Sequence, residues 1–287
     1  MAIAIPAAPL FRVRAQPRIP LPQSRSMNWV GFSMVIALTV FVIAVPLIAP
    51  HDPLTPVGMP LQAPGKNGFL LGTDSVGRDI LSRVLYGARS SWFAALVVVA
   101  AGLLIGGLIG LIAGASGGWV DTLLMRVTDG FLSLPAPVLA IAVVAALGPG
   151  FVHTLFAVSI VWWPFYARLV RGEVVRLAAR PHVEAAKLAG VSRFRLAVRH
   201  LLPGAVPNAL VAASLDLGTL ILTLASLSFL GLGQAAPAPE LGADSARNLS
   251  YFLQQWWIPV MPGLGVLVLA LVGNISGDCL RNLMKTS

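Results

Sequence analysis

The residues whose types and spacing say most lie between Pro181 and Pro203. Glu184-Ala185-Ala186 is followed there by Gly190, Ser192 and Leu202-Pro203, among Arg180, Lys187, Arg193, Arg195 and Arg199. No nucleophile stands beside a base, so the chemistry on offer is recognition of another surface. Pro181 suits the first turn of a helix, Gly190 the left-handed residue that ends one, and Ser192 the cap of the next. Phe194, Ala197, Val198 and Leu201 then share one side of that second helix. Pro203 and Pro207 are expected to punctuate its end. Two short helices around a glycine form a compact knob. Its alanines let a protein surface come close, and its arginines favour an acidic rim.

Two carboxylates, Asp129 and Asp216, fall inside long apolar blocks. A charge at mid-bilayer costs about 2.5–3.5 kcal/mol, so each is expected to face a partner or water. Both are candidates for lining a pathway. The alternative for Asp129 is a structural carboxylate answered by Arg126 or Arg168. Other catalytic patterns are missing from the sequence. Gly65-Lys66 is followed by Asn67, so there is no Gly-x-x-x-x-Gly-Lys-Ser/Thr phosphate loop. There is no His-Glu-x-x-His pair, four scattered histidines give no ligand spacing, and Cys279 is the single cysteine. Neither ATP hydrolysis nor a resident cofactor or metal is expected of this chain.

These residues sit in a chain that water cannot easily solvate. Of 287 residues, 57% are hydrophobic and 11% charged, with a mean hydropathy of +0.83. Soluble domains run at about 45–50% apolar and about 25% charged, so a soluble enzyme and a disordered chain are both excluded. The net charge of +9 is distributed between apolar blocks, which makes it a topology signal rather than a nucleic-acid footprint.

Charge-free stretches place six spans, at 28–49, 92–115, 121–147, 152–171, 205–231 and 257–279. Gly148-Pro149-Gly150 divides the longest stretch in two. The blocks lack the alternation of barrel strands, so the fold is expected to be an all-α membrane bundle. Residues 1–27 read as an inner tail, 50–91 as an outer segment, 92–287 as a core, and 172–204 as a long inner loop. With the N-terminus inside, fifteen of the twenty Lys and Arg fall on inner segments, which puts both termini in the cytoplasm.

Within the outer segment, 79–86 reads as an amphipathic helix along the interface, with an Asp79–Arg83 ion pair one turn apart. Gly102, Gly106, Gly110 and Gly114 form a small-residue face for helix packing, within the chain or with a partner. Pro135 and Pro137 are expected to kink the third span, either as a gate or as scaffolding. Trp256-Trp257 suits an aromatic belt.

The Glu184-Ala185-Ala186, Gly190, Leu202-Pro203 pattern resembles the EAA loop of ABC importer permeases, and its wider context is similar to the peptide/nickel branch. Leu71-Gly-Thr-Asp-Ser-Val-Gly-Arg-Asp79, Leu227-Ser-Phe-Leu-Gly-Leu-Gly233 and Gly277-Asp278-Cys279-Leu280-Arg281 also resemble DppC/OppC-type subunits. Gly204 and Cys279 depart from the branch's usual Asn and Gly. The resemblance implies a type I importer permease in the bacterial cytoplasmic membrane, bathed in lipid and without nucleic acid. It implies a second, DppB/OppB-like permease, two ABC ATPases holding ATP and Mg, and an extracytoplasmic binding protein. Glu184, Ala185, Ala186, Gly190, Ser192 and Pro203 would then couple the chain to its ATPases. The cargo would be di- or oligopeptides, with nickel or another small solute as the alternative. An ion-driven carrier using Asp129 and Asp216 as a relay is the rival mechanism.

Overall fold

The computed structural model describes the backbone of residues 25–286 and the side chains of 33–282, so most of the inner tail 1–27 lies outside the described residues. Helices occur at all six expected positions: α1 (Arg25–Ile48), α2 (Ile80–Ser116), α3 (Gly118–Leu132) with α4 (Ala136–Leu147), α5 (Phe151–Ala178), α8 (Leu202–Phe229) and α10 (Trp257–Thr286). Short helices α6 (Pro181–Leu188), α7 (Arg193–Leu196) and α9 (Leu241–Arg247) join them. Among the described residues the only β pairing is two isolated bridges in the 50–79 loop. Three helical stretches, Ile80–Ser116, Arg193–Phe229 and Trp257–Asn282, are each long and apolar enough to cross a membrane, and α3 and α4 qualify together as a broken fourth.

The glycine stripe is resolved as internal packing. A Cβ on Gly106 would lie 2.2 Å from the carbonyl oxygen of Trp163, and one on Gly110 would lie 2.4 Å from that of Ala167. Glycine therefore lets the α2 and α5 backbones touch, which is how membrane helices associate when lipid offers no hydrophobic driving force. Trp92 is fully buried beside this seam, and its indole N–H donates to Thr39 Oγ1 at 3.1 Å, tying in α1.

Three expectations need correction. Residues 80–86 are not a separate interfacial helix but the first turns of α2, which runs unbroken for 37 residues. Asp79 caps that helix through Ser82 N–H at 3.1 Å, so its carboxylate is not available to Arg83, which turns elsewhere. Finally, Pro203 and Pro207 do not end the second inner helix. Ala197–Leu201 form a π-turn, with the Leu202 N–H reaching back to the Ala197 carbonyl. The wider turn makes room for a proline ring and a missing N–H, and the helix continues through both prolines to Phe229. At Ser133–Pro135 the expected kink is a full break of 86° between α3 and α4.

A candidate coupling elbow and the charged network around it

Helix α5 extends past its apolar stretch to Ala178, and only Ala179 and Arg180 separate it from α6. Pro181 occupies the first turn of α6. The helix ends in a Schellman motif: Gly190 N–H donates to the Lys187 carbonyl at 3.0 Å, and Val191 N–H to the Ala186 carbonyl at 3.1 Å. Gly190 has φ +78, which a side chain would resist, and open space surrounds it. Ser192 then caps α7, accepting from Arg195 N–H. Residue types at 181, 190 and 192 thus dictate a sharp helix–turn–helix elbow.

The elbow has two faces. Val183, Leu196 and Leu201 are buried with Val170, Val174, Leu177, Leu111, Ala205 and Ala209 in one apolar cluster, which fastens it to α2, α5 and α8. Ala186 packs on the edge of that cluster. Glu184, Ala185 and Gly190 face outward. So do Leu188, 90% exposed, and Phe194, 79% exposed. The elbow thus presents two bare apolar side chains among basic residues. The sequence places Leu188 on the small apolar surface of the first inner helix and Phe194 on the shared side of the second, but not their degree of exposure, which the structure supplies. Pro203 is exposed at the start of α8, where it shares an open groove with Ser192, Phe194, Arg195, Val198 and Arg199.

Asp129 pairs with Arg168 across α3 and α5, and both side chains are more than half exposed. Asp216 on α8 is half-buried and accepts from the Trp162 indole N–H at 3.2 Å. No hydrogen bond among the described residues joins the two carboxylates. They engage different partners on α5, Arg168 and Trp162. A second pair that sequence reading passed over is bidentate: Arg171 Nε and Nη2 meet Asp121 at 2.8 and 2.7 Å.

At the start of α2, the end away from the elbow, Arg83 is 4% exposed and connects three segments. Its Nε and Nη2 donate to Asp244 at 3.1 and 2.6 Å. Nη1 donates to the carbonyls of Pro53 at 2.8 Å and Pro237 at 3.1 Å. Asp74 holds the loop from within, accepting from Val76 N–H, Arg78 N–H and Arg78 Nε. Glu240 caps α9 through Ala243 N–H at 2.7 Å, and its burial pushes its carboxyl above the ordinary range despite that bond. Isolated acidic residues in an apolar setting were the available signal for this network, but Arg83 and Asp244 stand 161 positions apart.

Residues 106–286 match the family model described as binding-protein-dependent transport system inner membrane component. The chain is 41% identical over 251 residues to the probable D,D-dipeptide transport system permease protein of Escherichia coli (strain K12), covering 88% of this chain and 84% of that one. It is 40% identical over 260 residues to the di/tripeptide transport system permease protein of Pseudomonas aeruginosa (strain UCBPP-PA14), covering 88% and 85%. The fold is shared with an inward-facing structure of the MetNI methionine ABC transporter, with a TM-score of 0.58 at 18% identity over 72% of this chain and 98% of that one. The chain therefore belongs to the family of binding-protein-dependent transport system inner membrane components, as a multi-pass membrane permease.

Proposed function

We propose that this chain is one of two unlike permease subunits in an importer of short peptides, driven by two separate ATPases and supplied by an extracytoplasmic binding protein. The observation that carries the reading is the elbow. Its inner face is continuous with the cores of α5 and α8, while its outer face offers small and apolar residues to a partner. ATP-driven approach of the ATPases draws the elbow inward, α5 and α8 follow, and the pathway opens outward. Hydrolysis resets it. ATP and Mg are held by the ATPases, both termini of this chain lie in the cytoplasm, and Glu184, Ala185, Gly190, Ser192 and Pro203 form the coupling contact, with Ala186 at its edge. Peptide cargo is supported by relatives named for dipeptides and di/tripeptides.

Reconstitution of the complete importer in proteoliposomes tests the reading. Labelled di- and tripeptides should accumulate only with binding protein and ATP present. Accumulation of nickel in their place, or peptide uptake driven by an ion gradient without ATP, would overturn it.

A further inference from the structure

Helix α3 is fastened to the bundle in an unusual way. Between Gly118 and Leu132 only Thr128 is buried, and its hydroxyl donates within the helix, to the Leu124 carbonyl at 2.8 Å. Each end is a joint. Gly117 and Gly118 have consecutive positive φ values of +64 and +59, with open space around both. At the other end the chain turns by 86° into α4. With so little apolar burial, the polar contacts that hold α3 sideways all run to α5. They are the bidentate Arg171–Asp121 pair and the Arg168–Asp129 pair. Phe131 adds an edge contact on Trp163, with ring centroids 5.4 Å apart.

Helix α5 behaves differently. It is locked to α2 by backbone contact at Gly106 and Gly110, and its inner end shares one apolar cluster with the elbow through Val170, Val174 and Leu177. A displacement of the elbow therefore moves α5 and α2 together as a body. α3 contributes no residue to the buried apolar clusters among the described residues, so beside its joints to α2 and α4 and the Phe131 contact, its two arginine–aspartate pairs are the ties by which motion of α5 reaches it.

We propose that Arg168 and Arg171, with Asp129 and Asp121, are transmission residues of the transport cycle. They carry elbow motion into α3, which swings between its glycine joint and the Ser133–Pro135 break as a moving wall of the pathway. The proposal rests on the reading of the elbow as the ATPase contact and adds the route by which that contact reaches the pathway. Charged pairs suit the role because an ion pair tolerates sliding and rotation that interdigitated side chains do not.

The test uses the complete importer in proteoliposomes, with the wild-type complex measured alongside. Asp121→Asn, Arg171→Gln, Asp129→Asn and Arg168→Gln each remove one partner, and the double exchange Asp121→Arg with Arg171→Asp restores a pair of reversed polarity. Each single variant should assemble and hydrolyse ATP within about twofold of wild type while peptide uptake falls about tenfold, a mid-range coupling for residues in direct contact. The exchange should recover a substantial part of that uptake. Unchanged uptake in all four single variants would overturn the proposal. So would parallel loss of assembly, hydrolysis and uptake that the exchange does not repair, because it would mark the pairs as structural only. Failure of the wild-type complex to couple uptake to ATP would instead overturn the reading of the elbow, and that result is seen before any variant is examined.

Discussion

Replacement of Arg83 by methionine should loosen the loops it ties to α2 without dismantling the helix bundle. The guanidinium supplies both bonds to Asp244 and those to the Pro53 and Pro237 carbonyls. Removing one partner of a buried pair costs about 3–5 kcal/mol, because the other charge stays buried without compensation. Arg247 Nη1 still donates to Asp244 Oδ1 at 3.2 Å, which places the expected loss near the lower end, about 3 kcal/mol. Every 1.4 kcal/mol is about a tenfold change in an equilibrium. Amide exchange in segments 50–79 and 232–248 should therefore accelerate by about a hundredfold, with the α2–α5 seam unchanged. The double variant Arg83→Met with Asp244→Leu should recover much of that protection, since it leaves no unpaired buried charge. Hydrogen exchange by mass spectrometry on the detergent-solubilised complex reads both. Unchanged exchange in Arg83→Met, or acceleration spread evenly over α2 and α5, would refute the assignment of Arg83 as the fastening of these segments.

The remaining predictions concern packing and pH. Gly106→Val should separate α2 from α5, since even a Cβ there meets the Trp163 carbonyl at 2.2 Å; overpacking of this kind costs about 1–3 kcal/mol, seen as a lower melting temperature, whereas Gly107→Ala, which meets open space, should not lower it, since alanine suits a helix interior better than glycine. Glu240 has a raised carboxyl pKa in the folded state because of burial. Its stabilisation is thus fully present below the ordinary value of 4.5 and lost as pH rises through the raised one. Thermal unfolding should accordingly show a decline over that window in the wild type and a flatter profile in Glu240→Gln. An identical slope in both proteins would exclude Glu240 as its source.

What the sequence discloses here is local or periodic. The Schellman end at Gly190 and the cap at Ser192 are written in a few consecutive residues, and the glycine repeat in α2 marks a packing face before its partner is known. What stays hidden depends on distance or on cancellation. Arg83 looked like the partner of Asp79 because they are one turn apart, yet the helix start consumes the Asp79 carboxylate and leaves Arg83 for Asp244. The prolines at 203 and 207 looked like stops; the π-turn at 197–201 makes room for Pro203, whereas the helix carries Pro207 in its interior with nothing in the local sequence to announce it. Ala186 reads as a contact residue from its place in Glu-Ala-Ala, but the helix phase turns it toward the inner cluster and turns Ala185 and Leu188 outward. Sequence alone does not fix that phase, since α6 has only eight residues and its apolar positions are too few to define a face.

Cysteine cross-linking at the elbow tests the central claim most directly. In a complex carrying Cys279→Ser, a single cysteine replacing Leu188 should form a short-spacer cross-link to an ATPase subunit in native membrane vesicles. Its yield should change between nucleotide-free and ATP-bound states, and a cysteine at Val183, which is fully buried, should give none. Absence of any ATPase adduct at Leu188 in every nucleotide state, with the complex intact and active in peptide uptake, would contradict the account.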